Sequence, residues 1–157
     1  MRKINLVLLL VLSCCSIKKK DNIGLIVEVA SSYKYNFIDE TYTIFHLSKS
    51  PQIIKFKLTA EEKKEISEKY YELGLDELPQ NLEVKDNCDI MPKLFTSISI
   101  IKKDKLRTIK IDRGCDDFKF YNKKKALKIK EFLDFLLNIL NSRNEIKNAP
   151  KSDIIYI

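Results

Sequence analysis

The most regular alternation of apolar and polar positions falls at residues 52–58, QIIKFKL, where Ile54, Phe56 and Leu58 are separated by Lys55 and Lys57. A period of two puts one set of side chains on a buried sheet face and the other in water. Residues 24–30 (GLIVEVA) and 41–47 (TYTIFHL) are short, rich in β-branched or aromatic residues and bounded by polar ones, which predicts two more strands. Ser48, Lys49, Ser50 and Pro51 supply turn chemistry, so 41–47 and 52–58 read as a hairpin. Residues 94–101 (LFTSISII) and 106–112 (LRTIKID) read as another, turning at 102–105.

At residue 59 the period changes. Thr59 followed three residues later by Glu62 is a capping box, in which each side chain satisfies the other residue's backbone N–H. Glu61 and Glu62 also suit the positive end of a helix dipole. Ile66, Tyr70 and Leu73 recur at helical spacing, and Gly74 supplies a left-handed stop. Residues 122–145 form the longest predicted helix, with Ile129, Phe132, Leu133, Leu136 and Leu140 on one stripe. Phe135, Leu137 and Ile139 widen that stripe, which predicts burial on more than one side. Residues 76–93, with Pro79 and Pro92, read as a loop, and 149–157 as either a loose tail or a final edge strand. The order of strands, helix, strands, helix predicts an α+β fold. Its expected form is a mainly antiparallel sheet of about five strands with two helices packed on one face.

The first fifteen residues, MRKINLVLLLVLSCC, follow neither period. Arg2 and Lys3 precede an apolar run from Ile4 to Leu12 broken only by Asn5, and Ser13 leads into Cys14. Charge, apolar run, small residue and processing site in that order are the layout of a secretory signal. The run is about half the 20 residues a membrane span needs, and Lys18, Lys19, Lys20 and Asp21 follow at once. Val11, Leu12, Ser13 and Cys14 resemble the lipobox of bacterial lipoproteins, and the run ending in Ser-Cys is similar to the Bacteroidota type. The resemblance implies cleavage before Cys14 and lipid on that cysteine, with Cys15 the poorer alternative because Cys14 would then precede the site. Two or three acyl chains at one cysteine, palmitate among them, anchor stably where one chain binds reversibly. The expected organisation is a signal peptide at 1–13, a lipidated cysteine and basic tether at 14–22, and one domain at 23–157. The IKKKD after the site departs from the acidic residues that in this lipoprotein type are often associated with surface display, so the expected location is the cell envelope, facing the periplasm.

Removing residues 1–13 leaves 157 − 13 = 144, the size of one ordinary domain. The net charge falls from 29 − 22 = +7 to 27 − 22 = +5. Arginine is scarce and no stripe of Arg with aromatics appears, so nucleic acid is not expected as a partner. The lysines suit anionic headgroups or an acidic protein. Cys88 and Cys115 remain in the domain, and an oxidising compartment predicts that they pair. A zinc site on cysteine would bring CxxC spacing or nearby histidines, and the chain has neither.

Candidate chemistry is sparse. The one histidine, His46, shares a strand face with Tyr42 and Ile44, a structural setting. There is no nucleophile elbow, no glycine-rich phosphate loop and no HExxH motif, and no cofactor is expected. Asp86 and Asp89 flank Cys88, while Asp112, Asp116 and Asp117 surround Cys115. A disulfide would draw these loops together, and Asp89, Asp116 and Asp117 are the candidate ligands for calcium, a cation that takes six to eight oxygens. Lys102, Lys103 and Lys105, joined by Lys123, Lys124, Lys125 and Lys119, are the candidate partner-binding patch. The expected function is a non-enzymatic, membrane-anchored protein-binding module, of immunity type or an accessory to envelope assembly. A metal-assisted hydrolase or calcium-binding protein using the Asp cluster is the alternative.

Overall fold

The computed structural model describes residues 21–89, 93–112, 114–115 and 117–154. Its fold is α+β. Seven strands, β1 (Gly24–Val29), β2 (Tyr33–Asn36), β3 (Thr41–Ile44), β4 (Gln52–Lys55), β5 (Asn81–Val84), β6 (Phe95–Lys102) and β7 (Lys105–Asp112), form one sheet in the order β4-β3-β2-β1-β6-β7-β5. All neighbours are antiparallel except β5 and β7. Two long helices, α1 (Ala60–Glu72) and α2 (Phe120–Asn141), are joined by a short α3 (Asn144–Lys147) and a 3-10 turn at Leu75–Glu77.

Strict alternation along the strands builds the core. Tyr42, Tyr35, Val27, Ile98 and Ile109 stand opposite one another across five strands, and all are buried. The Tyr35 and Tyr42 rings stack with centroids 4.6 Å apart. Ile66, Tyr70 and Leu73 of α1 and its C-cap, and Ala126, Ile129, Leu133, Leu136 and Leu140 of α2, complete the same cluster. The other sheet face carries Lys34, Glu28, Ser97 and Lys110 in one cross-strand row, half-buried or exposed. Glu28 is paired there with Lys34 at 3.3 Å.

The helices are pinned by side chains at their ends. Thr59 Oγ1 accepts from the Glu62 amide at 3.1 Å, and Glu62 Oε2 accepts from the Thr59 amide at 2.8 Å. The same Glu62 oxygen accepts from the Arg143 guanidinium beyond the end of α2, and Lys69 pairs with Glu131 at 2.7 Å, so α1 and α2 run antiparallel. Gly74, just past the Leu73 C-cap, has φ +64°. Arg107 donates to the carbonyls of Asp76, at 3.0 Å, and of Leu78, closing the turn after α1 over β7.

Two strands exceed the expected five. β2 reads YKYN, four residues whose alternation is too short to stand out, and β5 reads NLEV inside what the prolines mark as a loop. The β5 strand exists because β7 offers it a parallel partner, and no local turn announces such a pairing. Strand β3 stops at Ile44, three residues short of the expected end. There Phe45 and Leu47 give their backbone groups to the C-terminal segment, through Ser152 Oγ at 2.7 Å and Asp153 Oδ1 at 2.8 Å. That segment, through residue 154, is thus a pinned strap with no strand pairing. The long helix starts at Phe120 and ends at Asn141, Arg143 separating it from α3.

Candidate binding surface

Cys88 and Cys115 form a disulfide with Cα atoms 6.1 Å apart. An isolated bridge between Asp86 and Phe118, and a 2.7 Å bond from the Asn87 amide to the Asp117 carbonyl, hold the two loops side by side. Asp86 lies buried beneath them. Its Oδ1 accepts from Lys93 Nζ at 2.7 Å and from the Cys88 amide at 3.2 Å, and its Oδ2 accepts from the Cys115 amide at 3.0 Å. Burial pushes the Asp86 carboxyl up, but the Lys93 hydrogen bond, the Cys115 and Cys88 amides and the Lys93 charge together hold it below the ordinary carboxylate value. Lys93 also donates to the Cys88 carbonyl and lies 3.1 Å from Oδ2 of the buried Asp112. That contact is an ion pair lacking hydrogen-bond geometry, since Asp112 Oδ2 has no hydrogen-bond partner among the described residues. Asp112 Oδ1 accepts from the Gly114 amide at 3.2 Å. The Asp86 hydrogen bond first, and then the nearby Asp112 carboxylate, keep Lys93 protonated above the usual lysine value against partial desolvation.

The carboxylates drawn together are therefore Asp86 and Asp112, around an ammonium. Asp89 and Asp117 stay exposed, the latter accepting from Asn87 Nδ2 at 3.3 Å, and Asp116 lies outside the described residues. One oxygen of Asp86 and the two sulfurs of Cys88 and Cys115 lie within 4.8 Å of one another. Those sulfurs are bonded to each other and offer no thiolate, and Asp86 already neutralises Lys93. A cation entering here would have to displace that lysine.

His46 serves the strap. Its Nδ1 lies 3.3 Å from Asp153 Oδ1, which also takes the Leu47 amide. The Leu47 amide first, and then the His46 ring, hold the Asp153 carboxyl low against slight desolvation.

The lysines fall into two groups. Lys102 and Lys105 close the β6–β7 turn, where Lys103 and Asp104 are the two left-handed turn residues. There Lys102 and Lys103 pair with Asp21 at 3.5 and 3.2 Å, and Lys102 lies over the Tyr71 ring. Lys123, Lys124 and Lys125 lie in the first turns of α2, whose Tyr121 and Asn122 line one pocket with Glu83, Lys85, Asp86 and Lys119. That is the Asp112 end of the same hairpin, about 23 Å away for eight-residue strands. The structure does not merge the two groups into one patch. Around the start of α2, Lys119, Lys123 and Lys124 are exposed, and no acidic residue sits in the first turn to oppose them. Sequence reasoning passed over their neighbours. Phe120 is 95% exposed, Tyr121 67% and Leu127 58%. The seven-residue spacing of Phe120 and Leu127 puts both on the side of α2 away from its Ile129 stripe, a signal present in the sequence.

Cys14, Cys15 and residues 1–20 lie outside the described residues. Among the described residues, no helix is long and apolar enough to cross a membrane. No protein-family model and no curated protein sequence matches this chain.

Proposed function

We propose that this chain is a lipid-anchored protein of the bacterial cell envelope, held through Cys14 and facing the periplasm, that works by binding another protein and performs no catalysis. An immunity lipoprotein neutralising a periplasmic toxin is one form of this reading, and an accessory to envelope assembly another. The anchor rests on the ordered Arg-Lys, apolar run, Ser-Cys start. The binding half rests on one contrast in how charge is used. The buried carboxylates are engaged by Lys93 and backbone amides, whereas exposed lysines at the start of α2 have no ion-pair partner among the described residues and stand beside exposed aromatic rings.

Crosslinking the tagged full-length protein in living cells, followed by mass spectrometry, tests the binding half; one partner near equal stoichiometry is expected. The anchor predicts that Cys14→Ser leaves the precursor uncleaved and unlipidated, and normal processing of that variant would discard it. The competing reading, a metal-assisted hydrolase or calcium-binding protein, draws on the aspartates that the Cys88 and Cys115 loops carry. It predicts stabilisation by calcium that chelator reverses and Asp89→Asn weakens. A thermal midpoint indifferent to both calcium and chelator removes that branch.

A further inference from the structure

Resting on the binding reading above, we infer that the docking surface is the outward side of the first two turns of α2. Phe120 is its anchor, with Tyr121, Leu127, Lys119, Lys123 and Lys124 around it, and the partner is a protein face carrying carboxylates around an apolar recess. At about 100° per residue, Lys123, Leu127, Phe120 and Lys124 fall within an arc of about 100°, opposite Ile129 and Leu136. An aromatic side chain with nearly its whole surface in water is the form an interface anchor takes before its partner arrives. Lys119, Lys123 and Lys124 have no ion-pair partner among the described residues, so complementary carboxylates would steer and orient the encounter.

Two observations favour a protein over a bilayer. Farther along the outer side of α2 comes the exposed Asp134, and α1 exposes Glu61 and Glu65, while Glu131 and Glu68 are exposed but paired with Lys69 and Lys64. An anionic lipid surface laid along the helix layer would meet those carboxylates within a few turns. The chain also enters the fold at Asp21, beside Lys102 and Lys103, at the other end of the β6–β7 hairpin from the start of α2. Asp21 follows Cys14 by seven residue steps, a reach of at most about 25 Å. A lipid on Cys14 holds the Asp21 end at the membrane and turns the Phe120 end outward.

The test places a benzoylphenylalanine photo-crosslinker at Tyr121, at Glu65 on α1 or at Lys110 on the open sheet face of the full-length, anchored protein in its own cells. Irradiation is expected to give a discrete protein adduct from position 121 only, joined to a segment with Asp or Glu beside an apolar residue. K123E/K124E and, separately, F120A should each cut its yield roughly tenfold without moving the thermal midpoint, while K102E/K103E leaves it unchanged. Lipid adducts alone at 121 would assign the surface to the membrane and overturn the inference. Protein adducts at 65 or 110 and none at 121 would overturn the surface and keep the binding function. No protein adduct at any of the three would overturn both.

Discussion

Asp86→Asn is nearly isosteric, and its effect can be worked out from the contacts around the disulfide. The carboxylate accepts three hydrogen bonds, from Lys93, the Cys88 amide and the Cys115 amide, and its two oxygens face these donors from opposite sides. A side-chain amide has one oxygen. Whichever way it turned, its NH2 would face a donor, either Lys93 together with the Cys88 N–H or the Cys115 N–H, and those hydrogen bonds would be lost. A hydrogen bond to a charged group contributes about 1.5–3 kcal/mol, and stranding a donor in a buried site adds to the loss. The expected cost is about 3 kcal/mol near pH 7, a shift of roughly 1–2 M in urea midpoint.

The pH dependence carries the sharper signature. The folded-state pKa of Asp86 lies below its unfolded value near 3.8. Its stabilisation is therefore complete above that value and is lost as pH falls through the lower folded pKa. Asparagine does not titrate, so the gap between the two proteins should narrow from about pH 7 to about pH 3, the other carboxylates titrating alike in both. Urea unfolding of the disulfide-intact proteins, followed by far-UV circular dichroism, measures both effects. A cost under about 1 kcal/mol at neutral pH, or an equal cost at both pH values, would refute the account of a buried, charge-engaged Asp86.

Reducing the disulfide frees a 27-residue separation, which the chain-entropy estimate values at about 3.5 kcal/mol. The thermal midpoint should fall by roughly 10 °C, and an unchanged midpoint would show that the loops are held without it. Thr59→Ala removes one half of the capping box and should cost about 1 kcal/mol by urea unfolding, whereas Thr59→Ser should cost little. Gly74→Ala should cost about 1–2 kcal/mol, because φ is +64° and an added Cβ would lie 3.3 Å from Lys128 Nζ; a neutral result would mean that the turn reshapes freely. Ile129→Ala, in the fully buried stripe of α2, should cost about 2–5 kcal/mol in the same assay, and a loss within the range of surface substitutions would contradict its burial.

Local signals carried the helices. Thr59, Glu62 and Gly74 act within one or two turns of where they stand, so the start and stop of α1 were legible. The first and last strands of each expected hairpin were legible for the same reason. β5 was not, because what makes residues 81–84 a strand is β7, more than twenty residues later in the chain. The pairing of Cys88 with Cys115 could be read from the expected compartment and from the cysteine count. The acids that matter beside it could not, because Lys93 lies between the two cysteines in sequence but points back into the cluster, selecting Asp86 and Asp112 and leaving Asp89 and Asp117 in solvent. At the start of α2 the lysine run is conspicuous in the sequence, whereas the outward side of Phe120 and Leu127 shows only when their spacing is set against the Ile129 stripe.

The sheet order also has a consequence for how the chain assembles. Strands β4, β3, β2 and β1 pair with their sequence neighbours, and so do β6 and β7, but the seam between β1 and β6 joins Leu25 to Ile100 and Val27 to Ile98. Until residue 95 and those after it are available, the meander of four strands ends on a bare edge at β1, with Leu25 and Val27 uncovered and its backbone N–H and C=O groups unpaired. An edge of that kind is where identical chains join to one another. A protein built this way is safest when its second half follows its first closely, and substitutions that slow β6 should show as aggregation during production well before they show as lost stability in the finished fold.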